Sequence, residues 1–384
     1  MERPFASVTV TEKAARALRG GHPWVFAGEV LTKESPCPDG EIVDVYTEKG
    51  RWQGAGFYNG RSLIRVRILS RNTNDKMDEA FFRRRVRYAL AYRQQVMGED
   101  FAACRLIFGE ADGFPGWTVD RYGDVLVSEV LSLGIERRRA MLYALLREEL
   151  AALGVNVSCI YERNESLIRE KEGMTCGKGP YAAPGLETNP SGHAEICENG
   201  IYFDVDYING QKTGYFLDQK YNRAAAGRLA HGRRVLDCFT HTGAFALHCA
   251  AGGAESVTAV DVSASALEQA RRNAERNGLE GRMEFRQADV FYAQAKLDGG
   301  AGSVEGYRGR VEAERLEGVM DNTPETLPPA AVLCRKLSMP MFGPSVASSI
   351  SVTLRAGRVP RALTAVTGTS VVVPMGMTTE GAAV

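Results

Sequence analysis

The chain has 384 residues, of which 44% are hydrophobic and 24% charged, values typical of a soluble globular protein with two or three domains. Its 47 basic and 47 acidic residues leave no formal net charge, which excludes strong attraction of the whole molecule to nucleic acid and requires any such binding to use a local basic surface. The first residues show no signal-peptide pattern and no apolar run is long enough to span a membrane, so we expect a cytoplasmic protein with no membrane partner.

Residues 1–72 read as short strands separated by turn residues, with one short helix after the first strand. Gly20-Gly21 is expected to form a turn before an apolar strand, and Gly50 and Gly60 are expected to end strands with alternating apolar and polar residues. This pattern predicts a small β-barrel.

Residues 73–190 change pattern. A helix of about six turns is expected between Asp75 and Val96 from its apolar spacing. Strands with turns at Asp112-Gly113 and Tyr122-Gly123 follow, then an amphipathic helix that ends at Gly154. We interpret this segment as a central α+β domain with a mixed sheet covered by helices.

Two groups of arginines stand out in these first two segments. The first group lies along a predicted strand and consists of Arg61, Arg65, Arg67 and Arg71. The second lies along a predicted helix and consists of Arg83, Arg84, Arg85 and Arg87. Solvated faces are the first interpretation, and a surface for nucleic acid is the alternative.

Residues 191–292 alternate between strand and helix as a doubly wound sheet does. The pattern predicts strands at 235–239, 256–260 and 282–286, with helices at 243–252 and 264–277 between them. Ser263 is the expected N-cap of the second helix, and Asn277-Gly278 is expected to end it. The predicted fold class is therefore α/β: a small barrel, a central α+β domain and a Rossmann-like domain.

Three acidic residues follow the three strands of this last segment. Asp237 ends the first strand before a glycine turn, and the helix that begins at Gly243 offers amides to a carboxylate. Asp261 can accept both hydroxyls of a ribose, and Asp289 can meet an adenine amino group. This set suits a cofactor with a cation and a ribose and no pyrophosphate, so S-adenosylmethionine is favoured over NAD.

Three stretches together resemble a known family. They are GGHPWVFAGEV near the start, GEADGFPGWTVDRYGD in the middle, and GQKTGYFLDQKYNR with VLDCFTHTGAFALHCA in the last segment. They are similar to the bacterial PUA-linked class I methyltransferases that form 5-methylcytosine in 23S ribosomal RNA, over roughly residues 2–292.

The resemblance implies S-adenosylmethionine as cofactor and ribosomal RNA as partner, with a homodimer possible. The implied cofactor contacts are Asp237, Phe239, Thr242, Gly243, Asp261 and Asp289. The implied substrate contacts are Gly21, His22, Trp24 and Gln219, and residues 211–223 are implied to shape the edge of the cleft. Arg61 and Arg65, from the basic group beside aromatic residues, are predicted to contact the RNA as well. An enzyme that modifies carbon 5 of a base must expose that base, so a separate RNA-binding module is physically reasonable.

The family pattern stops near residue 293. In the family, a fourth strand carries an Asp-Pro-Pro motif and a later strand carries the catalytic cysteine next to a serine, and neither pattern appears in residues 293–384. From Asn322 to Val384 only seven of 63 residues are Asp, Glu, Lys or Arg. We therefore expect a poorly ordered tail that cannot complete the sheet, translated out of the ancestral reading frame. The methyltransferase domain is expected to be incomplete and no catalytic residue is assigned.

The eight cysteines are scattered, with no CxxC pair and no histidines at ligand spacing, which predicts free thiols and no metal site. Cys238 and Cys249 are interpreted as buried packing residues and not as substitute nucleophiles. Three alternatives remain open: a catalytically inactive RNA-binding protein, a methyltransferase for another base or for protein, and a Rossmann oxidoreductase. The last would require a GxGxxG turn, which CFTHTGAF lacks.

Overall fold

The computed structural model describes residues 3–34 and 36–289, together with the backbone of three strands further along the chain. The contacts divide the chain into two compact units. One comprises Met1–Cys197 with Val205–Leu217, and the other Glu198–Asp204 with Asp218–Val384.

The first unit begins with a six-stranded sheet and one short helix. Its elements are β1 (Ala6–Val10), α1 (Glu12–Arg19), β2 (Trp24–Phe26), β3 (Val30–Lys33), β4 (Ile42–Thr47), β5 (Trp52–Tyr58) and β6 (Ile64–Ser70). The strand order is β2-β6-β5-β4-β1-β3, and only β1 and β4 pair in parallel. Thr11 caps α1 by accepting the Ala14 amide, and Ala14, Ala15 and Leu18 of α1 are buried in a cluster with strand residues.

The rest of the first unit is a five-stranded mixed sheet with two long helices, as predicted. Its elements are α2 (Glu79–Met97), β7 (Ala103–Phe108), β8 (Trp117–Tyr122), β9 (Val125–Val130), α3 (Leu133–Ala152), β10 (Cys159–Asn164), α4 (Ile168–Lys171) and β11 (Gly177–Pro180). The strand order is β11-β10-β9-β8-β7. Asp78 caps α2, and Gly98 ends it with a φ of +56°.

A single apolar core joins the two sheets of the first unit. Phe57 of β5 and Phe82 of α2 belong to the same buried cluster as Trp117 of β8. A buried polar network adds to this core, because Glu172 accepts hydrogen bonds from Asn59, Ser62 and Arg67. The two N-terminal segments thus belong to one compact unit.

The second unit contains the predicted alternation of strands and helices. A hairpin of β12 (His193–Glu198) and β13 (Ile201–Asp206) spans the boundary between the units, and the remaining elements are α5 (Lys220–Leu229), β14 (Arg234–Cys238), α6 (Ala244–Ala251), β15 (Ser256–Asp261), α7 (Ala264–Arg276) and β16 (Met283–Gln287). The predicted bounds of these last strands and helices agree to within one residue. Ser263 caps α7 by accepting the Ala266 amide at 3.2 Å, and Asn277 is its C-cap, as expected.

The sheet of the second unit extends beyond the point where the family pattern stops. Backbone strands β17 (Ala331–Lys336), β18 (Ile350–Leu354) and β19 (Val371–Val372) complete the order β16-β15-β14-β17-β18-β19. β17 pairs in parallel with β14, whereas β18 and β19 are antiparallel. The chain after residue 330 therefore adds three backbone strands to this sheet, which the sequence pattern did not predict. Strand pairing uses main-chain N–H and C=O groups over long sequence separations, which periodicity does not report. The other residues after 289 lie outside the described part of the chain, and with them the prediction of a poorly ordered tail.

Candidate functional site

The turn that follows β14 holds an unusual backbone. Phe239 and His241 adopt φ values of +58° and +52°, and Gly243 follows at +81°. A side chain in the left-handed region costs about 1–2 kcal/mol, and such conformations persist where the surrounding structure enforces them, often at functional sites. Two of them within one turn indicate that its shape is held by specific contacts.

Asp237 supplies one set of those contacts. Its carboxylate is buried, and Oδ2 accepts hydrogen bonds from the Thr240 hydroxyl at 2.6 Å and from the Ala246 amide at 3.1 Å. Ala246 lies in the first turn of α6. Asp237 therefore ties the end of β14 to the start of α6.

Asp261, at the end of β15, supplies the other set. Its Oδ2 accepts the His241 amide at 2.8 Å, and its Oδ1 accepts the Ser263 amide at 2.9 Å. The carboxylate thus bridges the turn after β14 and the start of α7. Because a carboxylate has about four acceptor positions, one on each oxygen is left for a ligand after these two bonds.

Gly243 is the residue from which α6 departs, and its position requires glycine. A Cβ built there would lie 2.7 Å from Leu247 Cδ1 and 3.0 Å from the Cβ of Ala270. The neighbouring Thr242 is buried, and its carbonyl accepts the side-chain amide of Asn273, on α7, at 3.2 Å. The turn is packed closely against α7.

The third predicted acidic residue lies at the same edge of the sheet. Asp261 pairs in register with Gln287 of β16, and the Ala288 amide donates to the Asp261 carbonyl at 3.1 Å. Asp289 follows directly and is half-buried. Asp237, Asp261 and Asp289 therefore share the carboxyl edge of three adjacent parallel strands.

Apolar surface accompanies these polar groups. The side chain of Phe239 is 39% exposed and that of Val262 is 70% exposed. Sequence reasoning did not single out Val262, Thr240 or His241. The sequence points to Val262 only by its position, since an apolar residue stands at a strand end where polar residues are usual. The roles of Thr240 and His241 depend on backbone geometry that the sequence does not show.

The segment 211–223, predicted to shape the cleft edge, is divided between the units. In the first unit, Thr213 donates to Asp120 Oδ2 at 2.5 Å, and the Tyr215 amide donates to the Tyr122 hydroxyl at 3.2 Å. Burial, with the nearby Asp120 charge, raises the pKa of Tyr122. The residues from 211 to 217 are thus anchored to β8.

The remaining residues of that segment serve α5. Gln219 is buried. Its side-chain NH2 donates to the Asp218 carboxylate at 2.9 Å, and its side-chain oxygen accepts from the Asn222 side chain at 3.1 Å. Arg223 is also buried and makes two 2.7 Å hydrogen bonds to Glu198. In this arrangement the side chains of Gln219 and Arg223 face protein groups, and a substrate contact by Gln219 stays a prediction.

The predicted substrate residues of the first unit lie on and around β2. His22 and Trp24 make a T-shaped contact with ring centroids 5.8 Å apart, next to Gly21 with a φ of +97°. The indole of Trp24 donates to Glu110 at 2.7 Å. Arg61 is exposed, whereas Arg65 is half-buried and donates to the carbonyls of residues 59 and 60. The structure brings Gly21, His22 and Trp24 together, and Arg65 is committed to local carbonyls.

Cys238 and Cys249 are both buried, in agreement with their interpretation as packing residues. Within the described ranges, no group of three or more His, Cys, Asp or Glu side chains has the arrangement of a metal site. No helix there is long and apolar enough to cross a membrane.

Comparison with known proteins agrees with this geometry. A PUA-like domain matches residues 8–71, and an S-adenosylmethionine-dependent methyltransferase domain matches residues 178–303. An S-adenosylmethionine-dependent methyltransferase from Streptococcus mutans has a similar structure, with a TM-score of 0.61 at 22% identity over 76% of this chain and 73% of that one. A methyltransferase complexed with SAH gives a TM-score of 0.63 at 22% identity over 76% and 72%. The fold and site define an S-adenosylmethionine-dependent methyltransferase that carries a PUA-like domain.

Closer relatives specify the family. The chain is 37% identical over 289 residues to ribosomal RNA large subunit methyltransferase I of Klebsiella pneumoniae strain 342, which covers 75% of this chain and 70% of the relative. It is 39% identical over 279 residues to the protein of the same name from Escherichia coli K12, covering 72% and 68%. The chain belongs to the family of ribosomal RNA large subunit methyltransferase I.

Proposed function

We propose that this chain binds S-adenosylmethionine at the carboxyl edge of β14, β15 and β16 and methylates large-subunit ribosomal RNA, at carbon 5 of a cytosine in 23S RNA. The observation that carries the proposal is the Asp261 carboxylate, held by two backbone amides with acceptor positions to spare. The names of the 37% and 39% identical relatives support ribosomal RNA as substrate, and the cytosine assignment rests on the family resemblance of the motifs.

The residues at this edge fit the cofactor. Asp261 would accept the two ribose hydroxyls, and the amides at the start of α6 would face the amino-acid carboxylate. Phe239 and Val262 would offer apolar surface to the adenine ring, and Asp289 would accept its amino group. When bound, S-adenosylmethionine supplies an electrophilic methyl group.

Asp237 and Thr242 are proposed to act through the shape of the turn. Asp237 holds Thr240 and the first turn of α6 by hydrogen bonds, and the Thr242 carbonyl is fixed by Asn273. Their substitution is therefore expected to weaken cofactor binding by loosening the loop, because a binding constellation depends on the groups that support it.

Methylation of cytosine carbon 5 needs a further group. In this reaction a cysteine thiolate would add to carbon 6, and carbon 5 would take the methyl group of S-adenosylmethionine, which leaves as S-adenosylhomocysteine. Loss of the carbon 5 proton to a base would then expel the thiolate. Cys238 and Cys249 are buried. β17 lies beside β14 in the sheet, but its sequence AVLCRK, followed by LSMP, contains no Asp-Pro-Pro motif.

A second candidate function is favoured by this observation. Residues 293–384 contain one cysteine and no Asp-Pro-Pro motif, which suits a catalytically inactive protein that still binds ribosomal RNA. We propose that a shift of reading frame near codon 293 produced this tail. The nucleotide sequence downstream of codon 292 tests this directly: a family-like continuation in another frame supports the shift, and its absence from all frames refutes it.

One set of assays separates the two functions. The full chain is incubated with tritiated S-adenosylmethionine and 23S RNA transcripts, and RNA binding is measured in parallel by filter retention. Transfer of label, located to 5-methylcytosine by nuclease digestion and mass spectrometry, supports the enzyme. RNA binding without transfer supports the inactive protein, label on another base refutes the cytosine assignment, and absence of both binding and transfer refutes both candidates. Cytoplasmic location and a homodimer stay predictions.

A further inference from the structure

An open cleft of about 780 Å³ lies in the first unit, between one end of the N-terminal sheet and helix α2. The cleft is lined by residues of the segment before β2, the end of β6, helix α2 and the turn after β7. Gly21 belongs to this lining, so the cleft is continuous with the segment around Gly21 to Trp24. Its volume falls in the range of ligand sites, and its open side admits a polymer.

Three arginines line the cleft. Arg71 is exposed, donates to the His22 carbonyl at 2.8 Å, and has no carboxylate within ion-pair distance among the described residues. Arg84 is exposed and bonds Asp75 at 2.9 Å through one nitrogen, so other guanidinium donors remain for a ligand. The cleft therefore presents cations at its surface.

Arg85, the third, is held rigidly. Its guanidinium donates to the carbonyls of Leu69 at 2.7 Å and Gly113 at 3.0 Å and lies 4.4 Å from the centroid of the Phe81 ring. Gly113 is required for this approach, because a Cβ there would lie 1.7 Å from the guanidinium. Burial lowers the pKa of Arg85, yet an arginine remains charged at neutral pH. The hydrogen bonds of Arg85 go to backbone carbonyls, and the nearby Asp75 carboxylate partly balances its charge.

Each of the three carboxylates in the lining has a partner, and Asp75 accepts from Arg84 at 2.9 Å and from the Ser70 hydroxyl at 2.6 Å. Asp112 forms two hydrogen bonds to Arg93, at 2.8 and 2.6 Å. Glu110 accepts from the indole of Trp24 and from Arg67. With these carboxylates partnered, the exposed guanidinium groups of Arg71 and Arg84 are the groups of the cleft that suit phosphates.

Helix α2 also presents an aromatic ring at this cleft. Tyr88 lines it and is 66% exposed. On the other side of α2, Arg83 and Arg87 bond Glu149 at 3.2 and 2.7 Å. Arg83 and Arg87 thus pair with Glu149, whereas Arg84, Arg85 and the aromatic ring of Tyr88 line the cleft. That combination is typical of surfaces that bind single-stranded nucleic acid.

We propose that this cleft binds an unpaired segment of the substrate RNA, with phosphates on Arg71 and Arg84 and a base stacked on Tyr88. The inference rests on the proposed function, since an enzyme that needs an exposed base needs unpaired RNA next to it. It adds a binding surface built jointly by the PUA-like domain and helix α2.

The test uses the full chain and a fluorescent mixed-sequence single-stranded RNA, alone or annealed to its complement. Binding is followed by anisotropy over a series of KCl concentrations. Tyr88→Ala is expected to weaken single-strand binding about tenfold with little effect on the salt slope. Arg71→Ala is expected to reduce the slope of log affinity against log salt by about 0.7, the value for one phosphate contact of a single strand.

Tyr92→Ala and Arg87→Ala serve as matched controls. Both residues are exposed on the same helix and neither lines the cleft, so both variants should bind as the unaltered chain does. Thermal melting verifies that each variant is folded.

The outcomes separate the inference from the proposed function. Loss in the two cleft variants but not in the controls supports the inference. The inference is overturned if all variants bind single-stranded RNA as the unaltered chain does. It is also overturned if Tyr88→Ala loses as much affinity for duplex RNA as for single-stranded RNA. Both results leave the proposed function standing. If the unaltered chain neither binds RNA nor transfers methyl groups, the proposed function fails, and the inference fails with it.

Discussion

Replacement of Asp261 by Asn should weaken S-adenosylmethionine binding and also destabilise the turn after β14. The two oxygens of Asp261 each accept a backbone amide, from His241 at 2.8 Å and from Ser263 at 2.9 Å. An asparagine side chain has only one acceptor oxygen, and its NH2 group can only donate. Whichever way the amide is oriented, one backbone N–H faces another donor, so this substitution is not conservative here.

The expected magnitudes follow from those contacts. A buried donor left without its acceptor costs about 1–3 kcal/mol of unfolding free energy. A hydrogen bond to a charged group contributes about 1.5–3 kcal/mol and a neutral one about 0.5–1.5 kcal/mol. Replacement of two charge-assisted bonds to the ribose by neutral ones should therefore cost about 1–1.5 kcal/mol each, or about 2–3 kcal/mol together, which weakens binding about 30- to 150-fold.

Isothermal titration with S-adenosylmethionine measures the affinity, and urea unfolding measures the stability. Ser263→Ala is the matched control: it removes the hydroxyl that caps α7 at 3.2 Å but keeps the backbone amide that Asp261 accepts. It should lose about 1 kcal/mol of stability with little change in affinity. Unchanged affinity in Asp261→Asn would refute the assignment of Asp261 to the ribose.

Three further predictions concern packing, pH and thiol reactivity. Gly243→Ala should lower the unfolding free energy by about 1–3 kcal/mol and weaken cofactor binding, whereas Gly278→Ala, with a similar positive φ but open space around it, should cost less in urea unfolding; equal losses would contradict the packing argument. Burial raises the pKa of Glu129, so stability is favoured at low pH and lost as the pH rises through that raised value. Glu129→Gln should therefore raise the melting temperature at neutral pH but not near pH 4, and a uniform shift would oppose this. Iodoacetamide at pH 8 should alkylate the exposed Cys176 and spare Cys159, whose pKa is raised by burial to about 11; mass spectrometry that finds Cys159 labelled first would contradict the structure.

The order of secondary structure was predictable because it depends on local periodicity. The strands and helices between 234 and 287 lie within about one residue of the prediction, since each has an apolar pattern bounded by a glycine turn or a cap. Ser263 was identifiable as an N-cap for the same local reason.

The pairing of β17 with β14 was not predictable. It joins residues about 97 positions apart, and the composition of the tail contains no sign of it. A parallel pair is formed by main-chain groups after a long crossover, so its formation depends on what the rest of the sheet leaves unpaired.

The arginines give a second contrast. As a sequence, Arg83 to Arg87 form one basic run with no indication of which members are neutralised. The fold turns Arg83 and Arg87 toward Glu149 and directs Arg85 to two backbone carbonyls. Net charge was therefore known from the sequence, but its distribution over the surface was not.

The sequence by itself determined the α/β alternation, the glycine at the start of α6 and the acidic residues at three strand ends, because periodicity and turn chemistry act over a few residues. Only the tertiary structure decided that Asp237 supports the turn, that Asp261 bridges the turn after β14 and the start of α7, and that a cleft with Tyr88 and three arginines faces outward. Those roles depend on hydrogen-bond partners and neighbours that are distant in sequence, and folding alone brings them within contact distance.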